Sequence, residues 1–233
     1  MADRSRKYSG ALFPLLLGMV IVASANGVAA SGAAAAERGM ALGARKFVQR
    51  GNAEVVAGNL AAAIDDYSLA LAIEPNAASA YYARGNVYLA RRELAAAIAD
   101  YTAAIAHGFV ATPVFVNRGI AYAQKNAWQL ALNDFNEAAN RNPSDASIYY
   151  NRGLMYMRHG VYDAAIADFT TTIALEPRHA EALAARGAAH QALADNTAAM
   201  ADYYRALAID PVNRNASTNL NRLLSVFGFA PAK

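Results

Sequence analysis

The sequence predicts an all-α chain of stacked helix-turn-helix units closed by a C-terminal capping helix, and three periodic observations carry that prediction. Arg-Gly recurs as Arg50-Gly51, Arg84-Gly85, Arg118-Gly119, Arg152-Gly153 and Arg186-Gly187, 34 residues apart each time. An Asp-aromatic pair follows in phase at Asp66-Tyr67, Asp100-Tyr101, Asp134-Phe135, Asp168-Phe169 and Asp202-Tyr203. An alanine precedes each pair, at Ala63, Ala97, Ala131, Ala165 and Ala199, and prolines close four of the five units at Pro75, Pro143, Pro177 and Pro211. Self-similarity at this interval is the signature of a repeat array.

Ahead of the array, residues 1–30 read as a targeting segment. Arg4, Arg6 and Lys7 precede an apolar stretch from Ala11 to Val22, after which the polar Ser24 and Asn26 appear. A membrane-spanning helix needs roughly 20 apolar residues, whereas a signal-peptide core needs about 7–15. Val28-Ala29-Ala30 supplies small side chains at the spacing signal peptidase reads, which places cleavage after Ala30. The alternative is an uncleaved anchor built on residues 11–23. Either fate exports the working part, into the periplasm if the source is bacterial. Residues 31–43, rich in Ala and Gly, form a lead-in.

The five units then run 44–77, 78–111, 112–145, 146–179 and 180–213. Each holds two stretches in which apolar residues return at three- and four-residue intervals, as in Ala80–Ala90 and Glu93–Ala106. A glycine in the first stretch and an alanine in the second are expected to let two helix backbones approach closely, with aromatics filling the wider spaces beside the crossing. Proline ends the second helix, because its ring and missing N–H prevent propagation. One hairpin cannot bury its own apolar face, so neighbours must stack. The second unit ends instead in His107-Gly108-Phe109-Val110-Ala111-Thr112-Pro113, where Gly108 is the expected helix stop and Pro113 opens the next helix. Past Pro211, Leu220, Leu223, Leu224 and Phe227 recur at helical spacing, which makes 214–233 a capping helix and tail.

These columns resemble the tetratricopeptide repeat (TPR), whose pattern runs aromatic, Leu-Gly, Tyr, Ala, Phe and Pro. The leading aromatic column here reads Phe47, Tyr81, Phe115, Tyr149 and Leu183; the tyrosine column reads Glu54, Tyr88, Tyr122, Tyr156 and His190. The resemblance covers about residues 44–213 and implies a right-handed superhelical solenoid. It departs from the family in one column, where the leucine before glycine is arginine in all five units. The matched Arg and Asp columns suggest ion pairs between packed helices, with the Arg stem covering apolar surface.

Composition excludes several functions. The three early basic residues lie beside one acid, Asp3, so setting this segment aside reduces the charge from +3 to 18 basic against 17 acidic groups. A nearly neutral body has no footprint for nucleic acid. The chain has no Cys, so disulfides, thiolate metal sites and thiol nucleophiles are out. His107, His159, His179 and His190 show no ligand spacing, and the first three fall near helix ends where a basic ring can meet carbonyl groups. No metal, cofactor or catalytic residue is assigned. Five aspartates in identical settings indicate architecture, whereas catalysis requires one differentiated site. The chain is therefore read as a non-enzyme.

The resemblance implies a concave groove lined by the first helix of each hairpin. Carried over by column, it places Asn52, Tyr82, Asn86, Val116, Asn117, Ile120, Tyr150, Asn151, Leu154 and Met157 on or near that surface. In Tyr81-Tyr82 and Tyr149-Tyr150 the first ring takes the packing column, and the second is turned about 100° round the helix. Tyrosine suits an interaction hot spot, and asparagine offers both donor and acceptor to a peptide backbone. The carboxylate clamp of some family members needs inner-helix cations. Val48, Tyr82, Val116 and Tyr150 stand there instead, with only Arg45 and Arg158 nearby. The expected partner is a protein or peptide segment of apolar or mixed character, bound by an exported scaffold, with the membrane involved only if the N-terminal segment is uncleaved. A membrane-tethered envelope assembly factor or chaperone-like subunit is the alternative.

Overall fold

The computed structural model describes residues 42–226, and among them every regular element is a helix. Residues 1–30, expected to be a targeting segment, most of the expected lead-in, Phe227 and the remaining tail lie outside the described residues. Two compact units divide the chain, 42–141 and 142–226. The first holds three hairpins: α1 (Leu42–Val56) with α2 (Leu60–Ile73), α3 (Ala78–Ala90) with α4 (Leu94–Ala106), and α5 (Thr112–Gln124) with α6 (Trp128–Arg141). The second holds α7 (Ala146–Arg158) with α8 (Tyr162–Leu175), α9 (Ala180–Ala192) with α10 (Asn196–Ile209), and α11 (Arg214–Val226). The all-α repeat class predicted by the period is the class observed.

Turn chemistry sets the helix ends. Pro75, Pro143, Pro177 and Pro211 each lie two residues beyond a second helix. In the second repeat α4 stops at Ala106, Gly108 takes φ +93, and Pro113 sits in the first turn of α5, as the sequence implied. Within each hairpin one left-handed residue recurs at the same place: Gly58, Arg92, Asn126, Gly160 and Ala194, with φ between 60° and 80°. The next N–H in each case reaches back five residues to a helix carbonyl, as from Glu93 to Tyr88 at 2.8 Å and from Asp195 to His190 at 3.0 Å. That closure requires positive φ, which Arg92 and Ala194 adopt at a steric cost glycine avoids.

The core is a column of small and aromatic side chains. Ala63, Ala97, Ala131, Ala165 and Ala199 are fully enclosed, and Tyr67, Tyr101, Phe135, Phe169 and Tyr203 are at most 2% exposed. The glycines work differently from the expected backbone-on-backbone approach. A Cβ placed on Gly51, Gly85, Gly153 or Gly187 would stand 2.7–2.8 Å from the ring Cε1 of the aromatic on its partner helix. At Gly119 the corresponding distance, to Phe135, is 3.1 Å. The missing side chain therefore clears room for a ring edge; at Gly187 a backbone atom, the Ala199 carbonyl oxygen, is also close at 3.1 Å. Beyond α10, Leu220, Leu223 and Leu224 turn the apolar side of α11 inward, and Asn213 Oδ1 caps that helix by accepting from the Ala216 N–H at 2.9 Å.

The arginine column forms the expected ion pairs in every repeat. Nε and Nη2 of Arg84, Arg118, Arg152 and Arg186 donate to both oxygens of Asp100, Asp134, Asp168 and Asp202 at 2.7–2.8 Å. Arg50 pairs with Asp66 in the same way. A third arm crosses to the preceding hairpin, where Nη1 of Arg84, Arg118 and Arg186 donates to the hydroxyls of Ser68, Thr102 and Thr170 at 2.9–3.1 Å. The guanidinium of Arg84 also lies 5.8 Å from the ring centres of both Tyr81 and Tyr88, a cation–π arrangement.

Because an alanine in mid-helix gains about 1 kcal/mol over glycine while overpacking costs about 1–3, the two glycine classes separate. Gly153→Ala is expected to lower the urea unfolding midpoint, while Gly119→Ala stays near wild type. Equal losses at both positions would contradict the ring-edge reading.

Candidate functional site

The first-helix residues of the 42–141 unit form a linked polar network. Asn52 is exposed, Tyr82 and Asn86 are half-buried, and Val116, Asn117 and Ile120 are buried. The fully enclosed phenol of Tyr101 donates to Asn86 Oδ1 at 2.9 Å, and Asn117 Nδ2 donates to the same oxygen at 2.8 Å. Asn117 Nδ2 also lies 3.4 Å from the Tyr82 hydroxyl. One repeat earlier, the Tyr67 phenol donates to Asn52 Oδ1 at 2.7 Å. Burial pushes the Tyr67 hydroxyl up to about 12. Burial also raises Tyr82, partly offset by the amides of Asn86 and Asn117 beside its oxygen.

This pairing follows a rule that runs across the repeats. Where the second-helix aromatic carries a hydroxyl, in Tyr67 and Tyr101, the residue after the glycine is Asn52 or Asn86. Where that ring is Phe135 or Phe169, the residue after the glycine is Ile120 or Leu154. In the last repeat Tyr203 donates to Gln191 Oε1 at 2.8 Å instead. A buried phenol needs an acceptor, so the asparagine column answers the aromatic column. Both halves of this correspondence stand in the sequence, yet reading each column separately hides it.

The tyrosine column has its own covering. Tyr82 stacks on Phe109 at 4.5 Å between ring centres and 20° between planes, and Phe109 is 4% exposed. Sequence reasoning noted the irregular ending of the second repeat but missed that its phenylalanine packs on a groove-column tyrosine. In the 142–226 unit, Tyr150, Asn151, Leu154 and Met157 are all buried. Asn151 Nδ2 donates to the Ser147 carbonyl at 2.8 Å. The ring of Tyr150 lies 6.0 Å from Phe169 and 4.8 Å from His179. Burial, with Glu181 adding to it, raises the Tyr150 hydroxyl. His179 caps α9 by accepting the Ala182 N–H, where the sequence suggested a contact with carbonyl groups. His107 and His159 lie at the C-terminal ends of α4 and α7 as expected, and His159 is held below its ordinary value by burial and Arg158.

Chemically, the ten groove-column residues offer amides, phenols and apolar surface, and none carries a charge. Among the described residues no group of three or more His, Asp or Glu side chains is placed to hold a metal ion. The same residues include no helix long and apolar enough to cross a membrane.

The geometry described above defines a class of helical-hairpin repeat protein, and family comparison identifies it. Family models described as TPR repeat match residues 51–91 and 119–160, and others described as tetratricopeptide repeat match 78–106 and 156–214. The chain belongs to the tetratricopeptide-repeat family. Members of this family are in general non-catalytic scaffolds that bind protein or peptide partners. No curated protein matches the sequence significantly. Among solved structures, the chain resembles YrrB, "a TPR protein with an unusual peptide-binding site", at 23% identity and TM-score 0.66 over 82% of this chain and 98% of that one. It also resembles a tetratricopeptide repeat protein from Parabacteroides merdae, at 19% identity and TM-score 0.71 over 81% of this chain and 75% of that one. MamA from Desulfovibrio magneticus RS-1 is similar at 15% identity and TM-score 0.70, over 75% and 99%. At these identities the likeness is one of fold.

Asn86→Leu alone is expected to strand the enclosed Tyr101 hydroxyl and cost about 1–3 kcal/mol. Adding Tyr101→Phe, which recreates the pairing of the third and fourth repeats, should recover at least about 1 kcal/mol in a double-mutant cycle of urea unfolding. Additive losses would mean the two columns are independent.

Proposed function

We propose that this protein is an exported, non-catalytic scaffold that captures a protein or peptide segment of apolar or mixed character along the first helices of its repeats. Family membership supports the scaffold class, and the peptide-binding site of YrrB is consistent with it. The observation that carries the finer reading is the fixed orientation of the asparagine amides. Buried phenols hold Oδ1 of Asn52 and Asn86; the Asn86 amide also sits beside the Tyr82 hydroxyl, so the amide nitrogen of the exposed Asn52 is the group best placed to meet a ligand carbonyl. Donors held in place before binding lose little freedom on binding, which favours capture of an extended backbone. The neutrality of Asn52, Tyr82 and Asn86, the groove-column residues that are not buried, supports a partner chosen by hydrogen bonding and apolar contact rather than by charge. Arg4, Arg6, Lys7, the Ala11 to Val22 stretch and Val28-Ala29-Ala30 support export with cleavage.

A photo-crosslinking residue placed at Asn52 or Ala83 on the first helices, and at Leu69 or Leu130 on outward positions of second helices, separates the faces in the native envelope. Adducts confined to the first-helix positions are expected. Equal or greater yield at Leu69 and Leu130 would contradict the assignment. Protein from the same preparation should begin at Ser31 on N-terminal sequencing, whereas an uncleaved N-terminus would point to the tethered form.

A further inference from the structure

Two first-helix tyrosines, Tyr82 and Tyr150, each lie against an aromatic ring from the turn that follows their hairpin. For Tyr82 that ring is Phe109, stacked at 4.5 Å. For Tyr150 it is His179, at 4.8 Å and 36°. The first cover carries no titratable group. The second is an imidazole whose Nδ1 is claimed from two sides. It accepts the Ala182 N–H at 3.2 Å and so caps α9, while Glu181 Oε2 lies 3.3 Å from the same atom.

One nitrogen cannot serve both neighbours in one protonation state. The cap requires a lone pair on Nδ1, which only the Nε2–H tautomer of the neutral ring has; a bond to the Glu181 carboxylate requires a proton on Nδ1, which the charged ring always carries. The side chain of His179 is 9% exposed, so water is a poor substitute for either partner. The ionisable groups facing the ring are Tyr150 on α7 and Glu181 on α9; Glu176 and Arg178, in the turn after α8, are exposed.

We propose that His179 is a proton-operated latch: neutral, it caps α9 and covers Tyr150; protonated, it releases the Ala182 N–H and turns to Glu181. Protonation loosens the first turn of α9 and changes the environment of the Tyr150 ring, within the 142–226 unit alone. The Phe109–Tyr82 pair contains no imidazole, and the one beside it, His107, stacks instead on the adjacent Tyr81 at 5.6 Å.

NMR spectra of the full chain, recorded from pH 8 to pH 5, test this directly. The Ala182 amide and the Tyr150 ring signals should move together with the His179 ring along one titration curve, while any change at Tyr82 and Phe109 follows His107 instead. His179→Asn retains a capping side chain without a titrating group and should abolish the Ala182 response. Glu181→Gln removes the carboxylate charge that favours the protonated ring and should shift the shared transition to lower pH. His179 titrating while the Ala182 amide and Tyr150 ring remain still would overturn the proposal, as would a His179→Asn protein whose Ala182 response is unchanged.

Discussion

The repeat architecture depends on a guanidinium held in a fork by a carboxylate on the partner helix. Family members place leucine before the glycine; this chain places arginine there in all five repeats. Leucine would give apolar contact without direction. The Arg–Asp fork fixes direction, because two parallel bonds tolerate little rotation of one helix about the other. In Arg84, Arg118, Arg152 and Arg186 the side chain is 16–19% exposed, and the paired carboxylate 5–8%. Removing such charges from water is costly, so the pair adds less to net stability than its bonds suggest. Its larger effect is on geometry: the fork aligns the helices of one hairpin, and the third arm to Ser68, Thr102 or Thr170 ties that hairpin to its predecessor. Arg50, whose side chain is 59% exposed, lies at the more open end of this ladder. There the hydrogen bonds from Arg50 keep Asp66 below its usual range, whereas burial outweighs Arg118 and raises Asp134.

A rigid frame of this kind lets the first-helix face vary. The first two repeats answer their buried phenols with asparagine, and the next two answer phenylalanine with Ile120 and Leu154. The hairpin core and the first-helix column are therefore coupled: losing a hydroxyl from the core ring permits an apolar residue on the first helix. Tyr82 and Tyr150 take the same first-helix column, each in its own unit, and are packed under Phe109 and His179, which makes them fixed walls more than free side chains.

Most of the fold was legible because the period exposes it. Five arginines matched to five aspartates predicted the ion pairs, and the proline column located the ends of α2, α6, α8 and α10. Gly108 and Pro113 marked the irregular junction in the second repeat. What stayed hidden were relations between columns. A column states that five residues share a setting, but not which other column they touch. Gly51 and Tyr67 touch across sixteen sequence positions, as do Arg84 and Ser68 on the opposite side. The hydroxyl acceptors were missed because Ser68, Thr102 and Thr170 are unlike enough to escape notice as one column. Phe109 and His179 were missed because they lie at unequal offsets from the tyrosines they cover.

The alignment of the hairpins depends on the coupling between Arg84 and Asp100, and a double-mutant cycle of urea unfolding on Arg84→Met, Asp100→Asn and their combination measures it. Either single change leaves the other charge enclosed without its partner, so each alone should destabilise, with a favourable coupling of about 2–3 kcal/mol recovered in the combination. Losses that add to within about 0.5 kcal/mol would show that the two side chains act independently, and the fork would no longer explain how the hairpins are held.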